Sequence, residues 1–230
     1  MNKENPKQVG SNIIDCKPQK GPCPVGCSEC FYNRPGAFYM DIKKRKIPTK
    51  AEAKGKIVRI NAGHDSNIER DKVIWAAQKY EHCFFNTSIS GFNFPGPVVW
   101  TANPKEELPI TFPRKLPENI MFVRLKVSST NLMHVMQGVE HFANLRVPVV
   151  LTFMRYYTHN PDPEYYVWRE STINEYWCPK YSFVKRVMER AKLNGGRLVT
   201  MCGSYNSSAC RDCKNCETYY WQTIKHMQEV

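Results

Sequence analysis

Eight of the ten cysteines fall into two tight groups. Cys16, Cys23, Cys27 and Cys30 lie near the amino end, and Cys202, Cys210, Cys213 and Cys216 near the carboxyl end. Cys83 and Cys178 stand apart. Thiols at spacings of two or three residues either staple a small secreted scaffold or, as thiolates, hold a metal or an iron–sulfur cluster. The chain has 230 residues and is 42% hydrophobic, which is enough for a core of its own. Its start, MNKENPKQVGSNIIDCK, lacks the apolar segment of an export signal. The expectation is therefore reduced thiols that bind metal in a soluble, cytoplasmic protein.

Spacing bears on which metal. Zinc sites favour two separated C-x2-C knuckles, and neither group divides that way. Cys210, Cys213 and Cys216 form C-x2-C-x2-C, which resembles the run that wraps one cubane in bacterial ferredoxins. Cys202 is the natural fourth ligand, with Cys178 in reserve. Four thiolates close such a site, which suits a structural, electron-transfer or accessory cluster.

The first group is different. Cys23-Pro-Val-Gly-Cys27-Ser-Glu-Cys30 is C-x3-C-x2-C, and three thiolates leave one iron of a cubane without a protein ligand. This loop resembles that of the radical S-adenosylmethionine (radical SAM) superfamily. The resemblance implies a [4Fe–4S] cluster whose fourth iron chelates the amino and carboxylate groups of SAM. Reduction then cleaves SAM to methionine and a 5′-deoxyadenosyl radical, which abstracts hydrogen from a substrate. That family usually has an aromatic residue just before the last cysteine. Here Glu29 holds that position, and Phe31 and Tyr32 follow Cys30. Cys16, seven residues before Cys23, is an alternative fourth thiolate that would close the cluster.

The elements that must position these loops alternate. Strands are expected at Ser11–Asp15, Lys56–Asn61, His82–Ile89, Pro97–Ala102, Met121–Val127, Val147–Met154 and Arg197–Met201. A helix after the capping box Ser66-Asn-Ile-Glu69 should run to about Tyr80. Others are expected after Thr130, over Tyr181–Asn194 up to Gly195-Gly196, and over about Glu217–Gln228. Between the third and fourth strands only a Gly/Pro segment fits. Alternation of apolar strands with helices implies an α/β fold built on a parallel sheet. A partial (β/α)6 barrel over residues 11–201, with a cluster-binding extension over 202–230, is what the radical SAM resemblance implies.

In such folds ligands gather at the carboxyl ends of strands. Asn61 and Gly63, in the turn Asn61-Ala-Gly63-His64-Asp65-Ser66, follow the second strand and are candidates to meet SAM, as are Tyr32 and Ser128. Asn86, Thr87 and Ser88 end the third strand. Arg155, after the sixth, could meet a carboxylate or phosphate through both guanidinium nitrogens. The aromatic stretch Tyr165–Trp177 reads as an inserted lid or packing hairpin, or as a surface for stacking a base.

Charge completes the reading. Lysines and arginines number 33 against 21 acidic residues, a net charge of +12. Seven of the basic residues crowd into Lys43–Lys56. This favours an anionic substrate, a nucleotide or nucleic acid among them. No run is long and apolar enough for a membrane span. The expected cofactors are two [4Fe–4S] clusters and SAM, with a flavodoxin or ferredoxin as electron donor. The alternatives are a non-enzymatic zinc or iron–sulfur protein that binds nucleic acid, and a two-cluster electron carrier.

Overall fold

A computed structural model describes residues 5–27, 30, 44–102, 112–157, 160–170 and 175–229. Seven strands form one sheet: β1 (Ile13–Cys16), β2 (Ile57–Ile60), β3 (Cys83–Thr87), β4 (Val98–Ala102), β5 (Ile120–Val127), β6 (Val149–Phe153) and β9 (Val199–Met201). They lie side by side in chain order, and every neighbouring pair is parallel. A sheet wound in one direction carries its crossover helices on one face and curls away from them. The result is a half-barrel. The expected α/β class and parallel sheet are thus observed, with the strands close to their expected positions.

The helices behind the sheet are α2 (Arg70–Ala77), α3 (Leu132–Asn144) and α4 (Tyr181–Gly195). Val73 and Ala77, Val135, Val139 and Phe142, and Phe183, Val187 and Ala191 bury their side chains against Val58, Ile60, Phe85, Trp100, Leu125 and Leu151. α4 ends at Gly196, whose φ of 57° is open to glycine at little cost. A one-turn helix α1 (Lys50–Ala53) carries a capping box between Thr49 and Glu52. The other expected box does not form. Ser66 instead accepts from Asn61 Nδ2 at 3.2 Å, and α2 starts four residues later behind Glu69 in a left-handed conformation. Thr130 likewise does not cap α3. Its hydroxyl meets that of Ser128 at 2.9 Å, and Asn131 is the flanking residue.

Strand residues alternate between faces, and the opposite, concave face has its own logic. Ile13, Ile57, Phe84, Val99, Phe122 and Val150 form an apolar floor near the amino ends of the strands. The helix α6 (Asn215–Glu229) packs on this floor through Tyr220, with Cys216, Tyr219 and Ile224 beside it. It follows a short helix α5 (Cys210–Cys213). One step along the strands the same face turns polar, with Asp15, Arg59, Asn86, Thr101 and Arg124. The remaining strands, β7 (Tyr166–Glu170) and β8 (Glu175–Pro179), make an antiparallel hairpin inserted after β6, as the aromatic stretch suggested. A bridge between Trp177 and Tyr156 ties it to the body. Among the described residues no helix is long and apolar enough to cross a membrane.

Candidate metal centres

The first cysteine loop is held by a network that starts in β1. Lys17, fully buried, donates from Nζ to the carbonyls of Gln19 at 2.7 Å and Gly21 at 3.2 Å. Gln19 Nε2 reaches the carbonyls of Asp65 at 3.1 Å and Ile68 at 2.8 Å. Asp65 is the hub. Its Oδ1 accepts from Asn67 N at 2.9 Å and Thr87 Oγ1 at 2.8 Å. Its Oδ2 accepts from Ser88 N at 2.6 Å and Ser88 Oγ at 2.8 Å. Ser88 Oγ in turn lies 3.7 Å from Cys27 Sγ. Burial pushes the Cys23 thiol up, against hydrogen bonds from the backbone at Val25 and Asp65. Cys30 N donates to Cys27 O at 3.2 Å, which closes the loop on itself. Cys23 and Cys27 are therefore seated beside Asp65 and Ser88, where β2 and β3 end.

Cys16 is not with them. It is the last residue of β1, its side chain has no exposed surface, and it belongs to the helix-side core with Val58, Ile60 and Phe85. Tyr80 Oη lies 3.9 Å from its sulfur. Burial raises its thiol to about 12. The strand's alternation sends Cys16 into the convex face, away from the loop that Lys17 and Gln19 begin.

The second group lies across the concave face. Cys202 follows β9 directly, and Cys210, Cys213 and Cys216 come from α5 and the first turn of α6. Interaction with Cys213 lowers the Cys202 pKa and raises that of Cys213, and Cys213 Sγ lies 3.9 Å from the Met201 carbonyl oxygen. Gly203 N donates to Cys213 Sγ at 3.2 Å, and Asn215 Nδ2 to the Met201 carbonyl at 2.8 Å. Burial raises Cys216 to about 11 and also raises Cys210. Arg59 acts on Cys202, Cys210 and Cys216 in the opposite sense, and Arg124 on Cys202 and Cys216. Cys178 is elsewhere, in β8 opposite Val167. All ten cysteines are free thiols. Among the described residues, no three cysteine, histidine or acidic side chains are drawn together tightly enough to hold a metal ion. Each group shares a neighbourhood without forming a closed ligand set.

Asn61, a candidate for SAM, is 1% exposed with a left-handed φ of 62°, and its Oδ1 has no hydrogen-bond partner among the described residues. In this turn Asn61, and not Gly63, takes the left-handed backbone conformation. Ser128 is consumed locally, donating its N–H to Asn131 Oδ1 at 2.9 Å. Arg155 lies with its guanidinium 5.3 Å from the Tyr176 ring centre. His64 is half-buried, which lowers its pKa, and its Nδ1 is 3.3 Å from the Asp65 carbonyl. Tyr32 and residues 31–43 lie outside the described residues, as does Lys43 of the basic run.

Sequence reasoning passed over Ser88 as a partner of Cys27, Asp65 as the hub, and the cations Lys7, Arg59 and Arg124. A signal existed for the last two. KIVRIN and MFVRLKV each place an arginine inside an apolar strand, which a parallel sheet tolerates only where one face opens onto a polar interior. No family model matches the chain, and neither does any curated protein or any solved structure.

Proposed function

We propose that this chain is a radical SAM enzyme with an accessory iron–sulfur centre in its carboxyl-terminal group. The observation that carries the reading is the separation of Cys16 from Cys23, Cys27 and Cys30. With Cys16 committed to the convex core, three thiols share a loop at the strand ends and no fourth joins them from β1. That is the donor set for a cubane with one open iron. The buried Asn61 Oδ1, at the end of β2 and without a partner among the described residues, is an acceptor of the kind an ammonium group requires, which fits the amino group of SAM.

Bound there, the cluster and SAM would supply a 5′-deoxyadenosyl radical for hydrogen abstraction, a step no side chain can perform. The chain's own work is to hold and orient. Lys17 and Gln19 fix the start of the cysteine loop. Asp65 ties that loop to β3 through Ser88, and Asn61 offers a carbonyl oxygen that has no partner among the described residues. Arg59 and Arg124 lie where they offset the negative charge of thiolates in the second group.

The test is anaerobic reconstitution with iron and sulfide, reduction with dithionite and addition of SAM. About eight irons per chain, four for each cubane, and release of 5′-deoxyadenosine are expected. Cys27→Ala should abolish 5′-deoxyadenosine formation, and Cys16→Ala should retain it. Zinc in place of iron would sink the proposal, as would equal damage from the two substitutions.

A further inference from the structure

The aromatic hairpin inserted after β6 has two faces of opposite character. Side chains directly opposite in an antiparallel ladder share a face, and successive ones alternate. Trp168 lies opposite Trp177, and Arg169 opposite Tyr176. Tyr156 joins the ladder as a third member. Its N–H donates to the Trp177 carbonyl at 3.2 Å, and its carbonyl accepts from Trp177 N at 2.8 Å. Tyr156, Trp177 and Trp168 therefore share one face. That face turns inward, since Tyr156 is buried, Trp177 packs on the helix-side core, and the buried Tyr166 meets Tyr156 at 5.2 Å between ring centres.

The other face carries Arg155, Tyr157, Tyr176 and Arg169, from three adjacent stretches of chain. The Tyr157 and Tyr176 ring centres are 5.7 Å apart, with the rings tilted by 45°. The Arg155 guanidinium lies 5.3 Å from the Tyr176 centre, and Arg169 is the neighbour of Tyr176 across the ladder. Arg169 is exposed, and the other three are half-buried. Among the described residues, no carboxylate forms an ion pair with either arginine. The hairpin's own carboxylates, Glu170 and Glu175, lie opposite each other and alternate onto the Trp168 face.

Two phenol rings flanked by two guanidinium groups complement a strand of unpaired bases and phosphates. Bases stack on aromatic rings whatever their sequence, and guanidinium groups meet phosphates through paired N–H donors. The net charge of +12 favours the same partner. A duplex fits less well, because its bases already stack on one another. We propose that Arg155, Tyr157, Tyr176 and Arg169 form a platform for single-stranded nucleic acid. Where it rests on the enzyme reading above, this makes such a strand the substrate, since the platform follows β6 at the carboxyl end of the sheet, where α/β folds hold their ligands.

The test is fluorescence anisotropy of labelled single-stranded DNA and RNA titrated with the full-length protein as purified, beside a duplex of the same sequence. Saturable binding of single strands is expected, tighter than that of the duplex. Tyr176→Ala should weaken it about tenfold or more. Tyr176→Phe keeps the ring and should keep the affinity, which separates lost stacking from lost folding. Arg169→Gln, at an exposed position, should lower the slope of log affinity against log salt by about one. A chain that binds strands in this way yet releases no 5′-deoxyadenosine would overturn the catalytic reading and leave the platform standing. The platform is overturned if no strand binds, if the duplex binds as tightly, or if Tyr176→Ala and Arg169→Gln change nothing. Equal competition by a mononucleotide would also overturn it, since a free nucleotide would then be the ligand.

Discussion

Two carboxylates organise the interior at the level of single residues. Asp65 takes four hydrogen bonds and holds β3 against the first cysteine loop. Asp65→Asn keeps the size but replaces an acceptor oxygen with an NH2 group that faces donors. The expected cost is about 1–3 kcal/mol, the penalty for buried groups left unpaired. It should appear in urea denaturation together with poorer iron retention in the first loop. Wild-type stability and iron content would show that Asp65 holds nothing. Asp15 makes a pH prediction. Burial works to raise its pKa, but the Arg59 charge and the hydrogen bonds from Arg59 and Gln8 win and hold it below its ordinary 3.8. A depressed carboxylate stabilises the folded state above its unfolded pKa, and that contribution fades as pH falls through the folded value. The melting temperature of wild type should therefore exceed that of Asp15→Asn by a constant margin above about pH 5, and the margin should shrink below 3.8. A margin independent of pH would refute the linkage.

Among the elements, the loop joining β9 to α5 decides whether the second group can assemble. Gly203 has a φ of 91°, and a Cβ there would lie 2.8 Å from the Ser207 carbonyl oxygen. Its N–H also donates to Cys213. Gly203→Ala should therefore displace the loop, at a cost of about 1–3 kcal/mol for a strained backbone. Reconstituted protein should lose the second centre's iron while the first centre persists. Iron stoichiometry measured in a Cys27→Ala background would show this directly. Retained iron there would mean that the loop adapts. The inserted hairpin contributes differently. β8 brings the Tyr176 ring to 5.3 Å from the Arg155 guanidinium, so the hairpin supports that side chain. The basic run reaches the structure partly as a helix start, since Thr49 and Glu52 form a capping box there, whereas the same pattern at Ser66 and Glu69 forms none. Both stretches satisfy the pattern. The second one loses its partners, because Asn61 Nδ2 donates to the Ser66 hydroxyl and the Asn86 carbonyl takes the Ser66 N–H at 3.1 Å.

For the whole molecule, one helix substitutes for the missing part of a closed barrel. The half-barrel would otherwise expose its apolar floor, and α6 covers it. Tyr220 is 2% exposed, and its hydroxyl lies 3.4 Å from His82 Nδ1. Tyr220→Ala should cost about 3–5 kcal/mol, the range for deleting a large buried aromatic ring. Because the first turn of α6 carries Cys216, the last cysteine of the second group, the same substitution should also weaken metal retention there. Loss of stability with an undisturbed second centre would separate the two roles. The arrangement seats Cys216, partly buried, against the concave apolar floor.

The sequence by itself determined the periodicities and the local chemistry. Apolar strands alternating with helices announced a parallel sheet, and Gly195-Gly196 announced the end of α4. The spacing of Cys23, Cys27 and Cys30 placed three thiols in one loop. These follow from contacts within a few residues. Tertiary structure alone decided which groups meet. Whether Cys16 joins the loop depends on the face its strand turns to the helices. Ser88 and Cys27 are 61 positions apart, and Arg59 and Asp15 are 44 apart. That Arg59 and Arg124 approach Cys202 depends on the direction of curl. Strand register and sheet curvature arise from long-range packing, and no local pattern encodes them.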